Sequence, residues 1–68
     1  MEKVEINTEY IKLEQFLKWA GLVDSGSDAK GFILEGLVKV NGNVELQRGK
    51  KLRKGDTVEY GGKTLKVD

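Results

Sequence analysis

With 68 residues and no cysteine, histidine or proline, the chain excludes disulfides, thiolate nucleophiles, zinc–cysteine sites and the commonest general base. That length lies near the lower limit at which an apolar core alone sustains a fold, so one domain over residues 1–68 is expected, with no cofactor or metal and no room for an elaborate active site. Three lysines face six carboxylates in residues 1–29, seven cations face two carboxylates in residues 30–54, and two lysines face three carboxylates in residues 55–68; a net +1 therefore hides a strongly basic middle, which can attract a polyanion.

Val4 and Ile6 alternate with charged neighbours, which predicts a short strand over 3–6. Thr8 could cap an early helix, or Tyr10 to Lys12 could stay extended and lead into a helix from Leu13. From there Leu13, Phe16, Leu17 and Ala20 form one amphipathic face, with Glu14, Gln15 and Lys18 outward, up to Gly21. Leu22 and Val23 are expected to bury between two helices. Trp19 lies beside that stripe; it could offer a stacking surface to a base, but covering the rim of the core is the favoured reading.

Ser25 or Ser27 can cap a second helix, with Asp28 three residues after Ser25 as a weak capping box. The spacing of Ala29, Phe32, Ile33 and Leu37 gives its apolar stripe, and Gly36 suits a left-handed exit, so the helix is predicted over about 26–35. Leu37, Lys39 and Asn41 then alternate with Val38 and Val40 in a strand near 37–41. Asn41-Gly42 signals a tight hairpin, returning along Val44 to Leu46. Next comes the run Arg48-Gly49-Lys50-Lys51-Leu52-Arg53-Lys54, in which Leu52 is the sole apolar residue and the expected anchor. Gly55-Asp56 reads as a turn in which Asp56 accepts from local backbone. Thr57 to Tyr60 and Lys63 to Val67 flank Gly61-Gly62 as a final hairpin, pairing Val58 with Leu65 and Tyr60 with Lys63.

The stretch Ser25 to Gly42 resembles the core of the S-four RNA-binding domain, named for the fourth protein of the small ribosomal subunit. Ser25, Ser27, Ala29, Ile33, Gly36, Val38, Val40, Asn41 and Gly42 match its pattern. Lys12-Leu13-Glu14-Gln15-Phe16-Leu17 resembles the family's helix start, and Gly55-Asp56-Thr57-Val58 its later strand, so the similarity spans about residues 12–60. Gly26 and Lys30 stand where the family places arginines. The form is most similar to the small stand-alone bacterial branch, labelled YbcJ- or YaaA-like. The resemblance implies an α+β fold of the S-four-like (alpha-L) kind, two short helices on a small, bent, mainly antiparallel sheet. It also implies a non-catalytic RNA-binding protein, with ribosomal or ribosome-associated RNA as partner.

On this reading the N-terminus of the second helix, at Ser25, Gly26 and Ser27, offers free N–H groups to a phosphate. Lys12 and Lys30 neutralise adjacent phosphates, while Arg48, Lys50, Lys51, Arg53 and Lys54 extend the track. No base-reading constellation stands out, so backbone and shape recognition of structured RNA is expected. No apolar run reaches membrane-spanning length and Met1 to Glu5 lack a signal peptide's apolar segment, so a cytoplasmic monomer with no membrane partner and no small-molecule substrate is expected. The alternatives are a DNA-binding helix-turn-helix-like module and a small protein-interaction module.

Overall fold

In the computed structural model, which describes residues 1–68, these patterns resolve into two helices and seven short strands: β1 (Glu2–Val4), β2 (Ile11–Lys12), α1 (Leu13–Trp19), α2 (Gly26–Leu34), β3 (Lys39–Val40), β4 (Asn43–Val44), β5 (Lys51–Leu52), β6 (Thr57–Tyr60) and β7 (Lys63–Val67). Five strands form one sheet in the order β1-β7-β6-β3-β4, and β2 pairs with β5 in a separate two-stranded ribbon. All pairings are antiparallel except β1 with β7, where Val4 lies beside Val67. The architecture is α+β.

Both helices end in the same way. Gly21 and Gly36 take the left-handed conformation, at φ 75° and 77°. The N–H of each glycine then bonds back to Lys18 or Ile33, and that of the next residue to Leu17 or Phe32, which is the paired closure of a Schellman motif. The exit at Gly36 also explains why Leu37 leaves the apolar stripe predicted for α2. Past the left-handed residue the chain follows strand periodicity, so Val38 is buried while Leu37 is 51% exposed.

Thirteen buried residues, all apolar, form one core: Leu13, Phe16 and Leu17 of α1 meet Ala29 and Ile33 of α2 above the inner faces of β3, β6 and β7. Val23 joins them from the interhelical link. Phe32 is half-buried, its ring 5.2 Å from that of Tyr60. Elsewhere the sequence reading needs correction. The first strand is Glu2–Val4, and Ile6 reaches the core beyond it through a bond from its N–H to the Asp68 carbonyl. The return strand is only Asn43–Val44, leaving Leu46 exposed. Trp19 is 60% exposed and does not pack as core.

Two hairpins follow the glycine chemistry. Gly61 and Gly62 sit at φ 61° and 81° between β6 and β7, giving the expected register of Val58 with Leu65 and Tyr60 with Lys63. Asn41 and Gly42 sit at φ 51° and 85° between β3 and β4, the conformation that a two-residue turn demands at both central positions. Asn41 does more than turn the chain. Its Oδ1 accepts from the Thr57 N–H at 2.9 Å, and its amide donates to Asp56 Oδ1 at 3.1 Å. The other Asp56 oxygen accepts from the Arg53 N–H at 2.8 Å, so one hairpin tip is latched to the turn that ends the basic run. Asn41→Ala is expected to lower stability by about 1–3 kcal/mol, from left-handed strain together with lost hydrogen bonds. Asn41→Gly, which keeps the turn, should cost less; urea midpoints at unchanged m-value report both.

Candidate nucleic-acid interface

Lys12 provides α1 with no side-chain cap. The first two N–H groups of that helix instead donate to main-chain carbonyls of the basic run, Leu13 to Lys50 at 2.8 Å and Glu14 to Arg48 at 3.1 Å. Such groups lack partners within a helix, so the run is held by its backbone and its side chains are free to face outward. Leu52 fastens it from the other side: the residue is fully buried, and its strand pairs Leu52 with Ile11 and Lys51 with Lys12.

The start of α2 lies across from this loop. Ser25, extended at φ −145° and ψ 165°, accepts from the Asp28 N–H at 3.2 Å and is therefore the capping serine. Ser27, exposed in the first turn, is not. The N–H groups of Gly26 and Ser27 have no partner in the chain. Gly26 takes no left-handed φ, and a Cβ there would meet nothing within 4 Å. The fold does not require glycine at that point; its effect is to leave the helix end uncovered.

One shallow depression brings together Gly26, Ser27 and Lys30 of α2, Glu14, Gln15 and Lys18 of α1, and Arg48 of the loop. A second lies against it, sharing Gln15 and Lys18, and is lined by Tyr10, Ile11, Lys12 and Trp19 with Thr8 and Glu9. Lys51 turns toward this second depression, its ammonium 4.8 Å from the Tyr10 ring centre. Lys50 is exposed on the loop. Arg53 and Lys54 line a third depression with residues Glu5 to Glu9, which shares Thr8 and Glu9 with the second, and the Arg53 guanidinium lies 5.8 Å from the Tyr10 ring centre. Arg53 also forms the single ion pair of the molecule, with Glu9 at 3.7 Å. Of the ten residues singled out from sequence, Gly26, Ser27, Lys30 and Arg48 line one depression beside the capping Ser25, Lys12 lines the adjoining one with Lys51 turned toward it, Lys50 is exposed on the loop, and Arg53 and Lys54 line the third. Lys18 and Tyr10 were missed. Lys18 shows its place only once α1 and α2 are packed, whereas the i, i+3 spacing of Gln15 and Lys18 already marked one exposed ridge.

The cations are otherwise unpaired within the chain. Lys12 and Lys51 are direct cross-strand neighbours, and like charges so placed are unfavourable unless an anion lies between or above them. No group of three or more carboxylates converges on a metal-holding position, and no helix is long and apolar enough to cross a membrane.

Residues 4–68 match the sequence model of the S4 domain. The chain belongs to the S4 domain family. Among similar members is RlbA of Bacillus subtilis (strain 168), named a probable ribosome maturation protein; it is 48% identical over 59 residues, covering 87% of this chain and 83% of RlbA. YbcJ of Escherichia coli (strain K12) is 40% identical over 58 residues, covering 85% and 83%. The solution structure of Escherichia coli YbcJ, described as revealing an αL motif involved in RNA binding, superposes with a TM-score of 0.74 at 35% identity over 98% of this chain and 86% of that one. The ribosomal protein S4e of Thermoplasma acidophilum gives 0.63 at 21% identity, over 85% of this chain and 31% of its own, which shows the shared fold alone. The S4 chain described here therefore has the αL fold that its sequence resemblance implied. Because Ser25 caps its second helix, Ser25→Ala should cost about 1 kcal/mol, a fall of about 4–8 °C in Tm. Ser27→Ala should stay within about 0.5 kcal/mol. Thermal melts followed by circular dichroism distinguish the two serines.

Proposed function

We propose that this protein is a non-catalytic RNA-binding protein that grips the phosphate backbone of structured RNA, and that its partner is ribosomal RNA or an RNA of ribosome maturation. The observation that carries this reading is the depression in which the unpartnered Gly26 and Ser27 N–H groups meet Lys30, Lys18 and Arg48. A helix N-terminus favours an anion through both its N–H donors and its partial positive charge. Three cations drawn from separate segments of the chain make that preference a track rather than a point. Lys12, Lys50 and Lys51 continue it along the loop. The names of RlbA and YbcJ support the same reading, the first for ribosome maturation and the second for RNA.

Glu14 lies within the same depression and sets a limit on where phosphates can sit, keeping them toward Lys30 and Arg48. Gln15 carries the one side-chain amide in the depression, set among three cations, so affinity rests mainly on charge and shape. The protein acts as a cytoplasmic monomer made of one domain, and its chemistry is binding alone.

Crosslinking in cells followed by sequencing of the attached RNA identifies the partner; recovery of ribosomal or pre-ribosomal RNA is the expected result. In vitro, Lys30→Gln/Arg48→Gln should flatten the slope of log Kobs against log salt by about 1 to 2, since each lost phosphate contact releases about one fewer counterion. An unchanged slope at unchanged fold removes this depression from the interface.

A further inference from the structure

Trp19 is the sole tryptophan of the chain and stands 60% exposed. It is nevertheless held in place: its indole N–H donates to the Glu5 carbonyl at 3.0 Å, a bond from α1 to the segment after β1. An aromatic ring left in water and fixed by its polar edge contributes little to the core, but it is pre-organised as a flat surface. Tyr10, 38% exposed, lines the same depression. The Lys51 ammonium lies 4.8 Å and the Arg53 guanidinium 5.8 Å from its ring centre, so that ring too is fixed by its neighbours.

The charge around these rings selects the ligand. Lys12 and Lys18 line the depression, and its one carboxylate, Glu9, is engaged by Arg53 at 3.7 Å. An aromatic cleft bordered by ammonium groups repels a cationic ligand. It suits a flat ring with an anion on either side, which is the chemistry of an unpaired nucleotide within a chain. Lys18 and Gln15 also border the phosphate-binding depression at the start of α2, so one strand can pass from one to the other without crossing open surface.

We infer that the Tyr10–Trp19 depression holds an unpaired nucleobase of the RNA whose backbone lies on the adjoining cationic track, with Lys12 and Lys18 meeting the flanking phosphates. This rests on the RNA-binding reading and sharpens it, because a continuous duplex has no free base face to offer. The site accepts any base, since stacking uses the face and not the edge.

The single tryptophan makes the test direct. Oligoadenylate, oligouridylate and the duplex formed by annealing them are titrated separately at low salt, with indole fluorescence and total binding followed together. Both single strands are expected to quench Trp19, while the duplex binds through charge and leaves its emission unchanged. Trp19→Ala should weaken single-strand binding about tenfold or more while leaving duplex binding within about twofold. Circular dichroism verifies that this variant folds, and the quenching of the unaltered protein decides the matter if it does not. Single strands that bind without quenching overturn the base subsite and leave the phosphate track standing. Failure of all three RNAs to bind overturns both.

Discussion

Two backbone hydrogen bonds, from the first N–H groups of α1 to the carbonyls of Lys50 and Arg48, govern how this small protein presents its charge. A helix start that lacks a capping side chain needs acceptors from elsewhere. Drawing them from the main chain of a lysine- and arginine-rich loop satisfies the helix and orients the loop at once. With the carbonyls turned in, the cationic side chains have only the outside to occupy. Leu52 closes the arrangement by taking the loop's one apolar side chain into the core. The basic surface is thus a by-product of how α1 is completed, and it lies next to the uncovered start of α2 because the helices pack against each other.

Much of this was legible in the sequence wherever a local rule carried it. Amphipathic spacing located both helices, and Asn41-Gly42 and Gly61-Gly62 located both turns, the second with its register to the residue, because positive φ at consecutive positions admits few side chains. Ser25, Gly26, Ser27 and Lys30 follow from the position of one helix start. What escaped depends on pairing between distant segments. The two-residue strands Ile11–Lys12 and Lys51–Leu52 are too short to show a period. Their ladder nevertheless decides where the basic run points, with Lys51 and Arg53 toward Tyr10 and Leu52 inward. A run of like charges that reads along the chain as one patch is therefore spread in space over three adjoining depressions. Trp19 escaped for a related reason. Its place beside an apolar stripe suggested the core, and only the distant Glu5 carbonyl explains why it stays outside.

The unpaired cations and the latched turn serve different ends. Asn41, Asp56 and Thr57 join the hairpin tip to the turn after the basic run through one bond between side chains and two from backbone N–H groups to side chains, which stiffens the scaffold. Lys12 and Lys51 face each other across a ribbon with no carboxylate between them, an arrangement that retains unfavourable energy in the free protein. On the proposed function a bound polyanion removes it, so that part of the affinity is prepared in the unbound state.

The parallel pairing of β1 with β7 joins the opening of the chain to its close, with Val4 beside Val67 and Ile6 bonded to Asp68. During synthesis, then, the first strand emerges with nothing to pair with until β7 has followed it. The helices and the inner hairpins can assemble early, while the outermost ribbon is the last to zip. Removing β1 would unmask the flank of β7 and give a neighbouring copy a template for adhesion.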